Sequence, residues 1–259
     1  TAANADISIS GNIEWEYLSQ DAGTTFSQDN SIKITAVNAA DNGVTFTAVT
    51  GFGGSESAAS NAIDAEVLYI QAAGDFGTLM LGDVDGNGAS SLMDGALGRN
   101  KDIEGQLGAG GQTTDSGTAD TAIFLDGGAD IIYMSPSVGD LQIGFSADLT
   151  DSDASATDGA ADMAVTYSMA GVSLFASSTS GQAFDESNFG VSADLAGLNI
   201  GVGSRSEVVT SQAKSNDVGV NYTLGNGLKL AALSASGTGR DGTTKIKASN
   251  FGASYPIVP

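Results

Sequence analysis

The chain has 259 residues, with 31 acidic against 9 basic side chains, a net charge of −22, 36 glycines, and neither cysteine nor histidine. Nucleic-acid binding is excluded, because a phosphate face needs clustered Lys and Arg. So are disulfides, thiolate metal sites and imidazole acid–base chemistry, and an enzyme is not expected.

No run of about 18 apolar residues is present, so no transmembrane helix is expected. The opening "TAANADISIS" has no basic start and no apolar stretch, as in an exported chain whose signal peptide has been removed. A hydrophobic content of 41%, regularly spaced, speaks against disorder.

That spacing is two nearly everywhere. In "ISISGNIEWEY", Ile7, Ile9, Ile13, Trp15 and Tyr17 share one parity, and Ser8, Ser10, Asn12, Glu14 and Glu16 the other. "LQIGFSADL", "DMAVTY", "NFGVSADL", "LNIGVGSR" and "DVGVNYTL" repeat the scheme. The alternation predicts fourteen strands, near 6–18, 29–37, 44–51, 63–73, 77–83, 130–135, 141–149, 161–167, 171–178, 187–195, 198–205, 216–224, 227–234 and 243–255. Sixteen are reached if a weak hairpin hides within 84–129.

Connections alternate in length. The short ones, such as "GDFG", "MAG" and "LGNG", carry tight-turn chemistry. The long ones fall near 19–28, 53–61, 84–129, 151–159, 178–184, 206–214 and 236–242. The polar parity, rich in Asp, Glu, Asn, Ser and Gly, is too hydrophilic to fill the core of a sandwich. An all-β, transmembrane antiparallel barrel, apolar outside and wet inside, satisfies both patterns. The whole of 1–259 is then one domain, with an even strand number that puts both termini on the short-turn side.

The stretch "FGTLMLGDVDGNGASSLMDGALG" invites a second reading. Asp83, Asp85, Asn87, Gly88, Ser91 and Asp94 fall at positions one, three, five, six, nine and twelve of a calcium loop. A helix–loop–helix sensor is ruled out by context, since "FGTLML" reads as a strand, Asp94 replaces the long-armed Glu, and Ser90 stands where an apolar residue belongs. What is left is a lone structural Ca2+ held by Asp83, Asp85, Asn87 and Asp94, set against the simpler reading that these residues only shape a turn. No cofactor is required.

Three stretches carry a family likeness. "ADISISGNIEWEY" resembles the first strand of the alphaproteobacterial general porins of Gram-negative outer membranes. "YIQAAGDFGTLMLGDVDG" resembles their hairpin leading into a constricting third loop, and "NDVGVNYTLGNGLKLAALSASG" a late hairpin. The resemblance implies an outer-membrane, water-filled channel, a homotrimer, and a third loop, here 84–129, folded into the lumen. The family norm is sixteen strands, and the end "FGASYPIVP" lacks the family's terminal aromatic residue. Partners on this reading are outer-membrane lipid, lipopolysaccharide, ions and small hydrophilic solutes.

Alternation then names the pore lining. Expected lumen charges on the strands are Glu14, Glu16, Lys33, Asp64, Glu66, Asp148, Asp162, Asp194, Arg205, Asp217, Lys229, Lys245 and Lys247. Lys33, Lys229, Lys245 and Lys247 would gather where the last strand meets the first, beside Glu14 and Glu16. The inward loop would face them with Asp85, Asp94, Asp102 and Glu104, with Arg99 and Lys101 among these. A basic wall against an acidic loop gives a transverse field that favours small polar solutes; the simpler alternative is solvated ion pairs. Asp21, Asp151, Asp153, Asp158 and Glu186 are expected in loops at the outer mouth, able to bridge through divalent cations to lipopolysaccharide. In the last strand Ile246 and Ala248 differ in parity from Phe251, Ala253 and Tyr255, which predicts a bulge near Asn250. The net charge predicts weak cation selectivity. The competing class is a secreted acidic, calcium-binding adhesin or surface-layer protein.

Overall fold

The structure, a computed structural model, describes residues 5–20, 23–56, 64–84, 88–94, 129–149, 159–181, 185–208, 214–238, 243 and 245–255. Fourteen strands form one antiparallel sheet in which each pairs with the next in sequence. They are β1 Asp6–Gln20, β2 Gly23–Ala39, β3 Thr45–Glu56, β4 Asp64–Gly74, β5 Gly77–Asp83, β6 Ile131–Met134, β7 Leu141–Ala147, β8 Ala161–Met169, β9 Val172–Ser180, β10 Asp185–Leu195, β11 Leu198–Val208, β12 Lys214–Thr223, β13 Lys229–Thr238 and β14 Lys245–Ser254. One short helix, α1 Ala89–Asp94, follows β5. Every predicted strand is present. Among the described residues β1 and β14 are the two edges of the sheet, and no ladder joins them.

A strand of about 9–11 residues crosses a bilayer. β10 and β11, of 11 residues each, match that length, while β1 and β2, of 15 and 17 residues, run well past it. The long connection expected at 19–28 is therefore strand, because the β1–β2 ladder continues to Gln20 opposite Gly23.

The short turns follow from local chemistry. Ala170–Gly171 and Ala196–Gly197 are two-residue hairpins with both residues in the left-handed region, at φ of 53° and 80°, and of 55° and 89°. This primed-turn backbone matches the right-handed twist of the strands it joins. In the longer turns, Asn42 Oδ1 accepts the Val44 N–H at 3.2 Å and Asn226 Oδ1 the Leu228 N–H at 3.1 Å.

The two faces of the sheet contrast as the alternation requires. Ile9 is 71% exposed and Phe251 85%, and Ile7, Leu68, Ile70, Phe145, Phe189 and Val202 also lie open on the same outer face. Such a continuous apolar surface fits hydrocarbon rather than water. Near the short turns this face carries Phe46, Tyr133, Tyr167 and Tyr222, at the level of an interfacial aromatic girdle. The Tyr133 hydroxyl donates to the Phe76 carbonyl at 2.7 Å, fastening one rim ring to a turn.

Three expectations are corrected. β14 pairs with β13 without a register shift, so there is no bulge at Asn250. Lys245 and Lys247 consequently share the face of Phe251, opposite Thr238 and Ser236, and belong to the outer surface rather than the lumen. A shift does occur between Gly51 and Phe52, which leaves Glu66 with no partner on β3, so simple alternation fails at Glu66, while Asp64 pairs with Gly53 on the inner face that also carries Lys33. Third, Glu186 sits within β10 and is buried, not in a loop at the mouth.

The inner face is not uniformly polar either. Met80, Val84, Ala89, Ala129, Ile132 and Ala160 form a buried cluster, with Tyr69 and Met134 packed against it. Met93, Ala164 and Phe175 form a second. Both gather around α1, so the wall from β5 to β9 holds a small hydrophobic core inside the sheet's curve.

Candidate functional site

The long connection leaves β5 through Gly82, whose φ of +108° excludes other residues; a Cβ there would strike the Leu68 carbonyl oxygen. The Gly82 N–H bonds the Asp130 carbonyl at 2.8 Å, so the connection leaves and returns at adjacent points. The Asp130 carboxylate in turn accepts the Leu149 N–H at 2.7 Å. Between these anchors α1 lies against β6, β7, β8 and β9.

Polar and apolar contacts hold α1 there together. The Ala89 N–H, a donor that the first turn of a helix cannot satisfy internally, donates to Ser146 Oγ at 2.9 Å. Ser146 Oγ–H donates to Asp162 Oδ2 at 3.3 Å, and Thr179 Oγ1–H donates to Asp162 Oδ1 at 3.1 Å. Asp162 is 3% exposed, so this relay is sealed from bulk water. Behind it, Gly144 lets α1 approach: a Cβ would lie 2.5 Å from Met93 Sδ and 3.0 Å from Ala89 Cβ. The start of the long connection is thus folded against the inner wall, as the third-loop expectation requires.

The register sets these groups in rows across the wall. Ser146, Asp162, Thr179 and Glu186 are successive Cα partners, and Gly144, Ala164, Ser177 and Asn188 form the neighbouring row. Asn188 Nδ2 donates to Glu186 Oε1 at 2.6 Å and to Ser177 Oγ at 3.2 Å. Glu186 is 3% exposed. Two carboxylates, Asp162 and Glu186, therefore sit on one lumen-side row with hydroxyl and amide donors between them.

The other expected site residues divide by position. Lys33 lies opposite Ser10 and Gly51 on the inner face, and Lys229 lies opposite Thr223 and Ser254 on the inner face near the short turns. Arg205 stands opposite Asn188 and Ser215, while Glu14 and Glu16 stand opposite Asp29 and Ser27. Asp94 ends α1. Asp85, Asn87, Arg99, Lys101, Asp102 and Glu104 lie outside the described residues. Of the lysine cluster expected across a β14–β1 seam, Lys33 and Lys229 lie on the inner face, whereas Lys245 and Lys247 face outward, and no ladder links β14 to β1 among the described residues. Of the proposed calcium ligands, Asp83 ends β5 opposite Leu68 on the outer row. Among the described residues no three metal-ligating side chains converge.

The sequence profile of the Gram-negative porins matches residues 1–258. The chain belongs to that family. Its fold is the transmembrane β-barrel of the porins, and its place is the outer membrane. A triple mutant of the Rhodopseudomonas blastica porin is 17% identical, at a TM-score of 0.72 over 98% of this chain and 91% of that one. Another mutant of the same porin is 18% identical at 0.73, with the same coverage. An engineered protein described for its asymmetric conductivity is 18% identical at 0.74, again over 98% and 91%. No curated protein matches. With the porin profile spanning 1–258, the adhesin alternative is not favoured.

Proposed function

We propose that this porin forms a passive channel for ions and small hydrophilic solutes, narrowed by the connection that carries α1, and weakly selective for cations. The observation that supports the reading is the docking of α1 on the inner wall through Ala89, Ser146 and Asp162, which brings the start of the long connection onto the inner face of the sheet. Cation preference is supported by the net charge of −22 and by Asp162 and Glu186 on the lumen side. Lys33 and Lys229 offset part of that charge on the same face.

The transverse field expected between a basic wall and an acidic loop keeps two of its strand lysines, Lys33 and Lys229, and is proposed in that reduced form. A homotrimer is the family expectation, and the apolar outer face offers surface for neighbours as well as lipid. No cofactor is needed; a Ca2+ at the loop root rests on the spacing of Asp83, Asp85, Asn87 and Asp94 alone.

The test is incorporation into a planar bilayer under a salt gradient. Stepwise conductance with a reversal potential of cation-selective sign is expected. A strong anion preference would overturn the selectivity, and no conductance would overturn the channel.

A further inference from the structure

The outer face of β11–β14 changes character along its height. Near the short turns it carries Tyr222, Leu230 and Phe251, and at mid-height Val202 and Val218. Above these, Asn216, Ser236 and Lys247 lie in one row, and Lys214, Thr238 and Lys245 in the next, at the long-loop end. All three lysines are exposed, and Lys245 Nζ donates to Thr238 Oγ1 at 3.0 Å.

Strand spacing places Lys245 and Lys247 about 7 Å apart on their shared face, and Lys214 about 10 Å from Lys245 across β13. No Asp or Glu falls on this face of the four strands among the described residues; Asp217 and Glu207 have the opposite parity, and Asp185, the acid on the adjoining strand's outer face, bonds Ser180 Oγ at 2.8 Å. Three of only nine basic side chains in a chain of net charge −22 therefore meet on one outward patch. A lysine facing lipid is tolerated only where its ammonium reaches the interface. This patch begins where the apolar band ends.

Long loops mark the external side of a bacterial barrel. We propose that Lys214, Lys245 and Lys247, with the Asn216, Ser236 and Thr238 side chains between them, bind the phosphate groups of a phosphorylated lipid headgroup in the outer leaflet. The inference rests on the outer-membrane channel reading for its orientation. Charge complementarity selects the ligand: a phosphate dianion meets three ammonium groups, and neutral hydroxyl and amide groups offer further hydrogen bonds.

The full chain in detergent micelles is titrated by native mass spectrometry with a bisphosphorylated acyl-disaccharide, with its dephosphorylated form, and with inorganic phosphate. The first should bind in a salt-sensitive manner. The K214Q/K245Q/K247Q variant should lose about five-fold per lysine, and roughly a hundred-fold in all. The all-Arg variant should keep binding, as should K33Q/K229Q. Equal binding by wild type and the triple Gln variant, or by the dephosphorylated lipid, overturns the proposal. Displacement by inorganic phosphate at equal concentration would show an anion site rather than a headgroup site, and also overturns it. Single-channel conductance separates the two readings: the triple variant should conduct as wild type does, and altered conductance would put the lysines in the lumen. Wild type that binds the lipid but never conducts would defeat the channel reading alone.

Discussion

Ser146 joins Ala89 to Asp162: its hydroxyl oxygen accepts the Ala89 N–H at 2.9 Å while its proton is donated to the Asp162 carboxylate at 3.3 Å. One side chain on β7 thereby couples the start of the inward helix to a buried acid on β8. Removing that hydroxyl takes the acceptor from a helix donor and one hydrogen bond from the carboxylate together. Ser146→Ala should cost about 1–3 kcal/mol of stability, the usual penalty for unsatisfied buried groups. Its sharper signature should be functional, with open-channel noise rising as α1 loses its polar tether. Single-channel traces at constant voltage check this; noise at the wild-type level would mean the apolar contacts alone fix the helix.

Gly144 makes the second prediction. It leaves room for Met93 and Ala89, so Gly144→Val would place methyl groups in space α1 already fills. Overpacking of this kind shifts the more weakly held partner. Here that is the six-residue helix rather than β7, which is laddered on both sides. The variant should keep its β-structure and melt slightly earlier, while conductance changes because the loop moves. Unchanged conductance in a folded variant would show that α1 lies away from the narrow zone.

The strands were legible because lipid and water impose opposite demands on alternate residues. β5 was placed at 77–83 by the same "GTLMLGD" that forms it. The misreadings occur where that alternation weakens. Glu186 looked like loop because β10 continues above the apolar band, where neither solvent constrains parity. Lys245 and Lys247 looked inward because Ile246 and Ala248 next to them are apolar, although the register follows Phe251. The lumen core around α1 had a signal that alternation hides: "IIYM" in β6 is apolar at both parities, as a strand with hydrocarbon on one face and packed side chains on the other must be. The bulge at Glu66 left no such mark.

The hairpin turns give a stability prediction. Ala170 and Ala196 occupy left-handed conformations at the first central turn position, where Asn is favoured and a Cβ-bearing residue without a local hydrogen bond is strained. Ala170→Asn and Ala196→Asn should each stabilise the barrel by roughly 0.5–1 kcal/mol, a modest share of that strain. The sites are on separate turns, so the double variant should be additive. Urea unfolding in detergent micelles measures it; destabilisation by either change would contradict the turn assignment.

The last prediction concerns calcium. Of the residues spaced like a calcium loop, Asp83, Asp85 and Asn87 precede α1 in the sequence and Asp94 is its last residue. Yet α1 is already fixed by the Ala89–Ser146 bond and by Met93 against Ala164 and Phe175. A cation at the loop root would thus add to an anchored helix rather than create the anchor. Chelator-treated protein should therefore keep its conductance. Its unfolding temperature should stay within about 2 °C of the calcium-loaded value, less than a shift of 1 kcal/mol produces at this chain length. Asp85→Asn should behave the same way. A larger drop on chelation, abolished by Asp85→Asn, would show that these carboxylates hold a structural ion and that the helix depends on it.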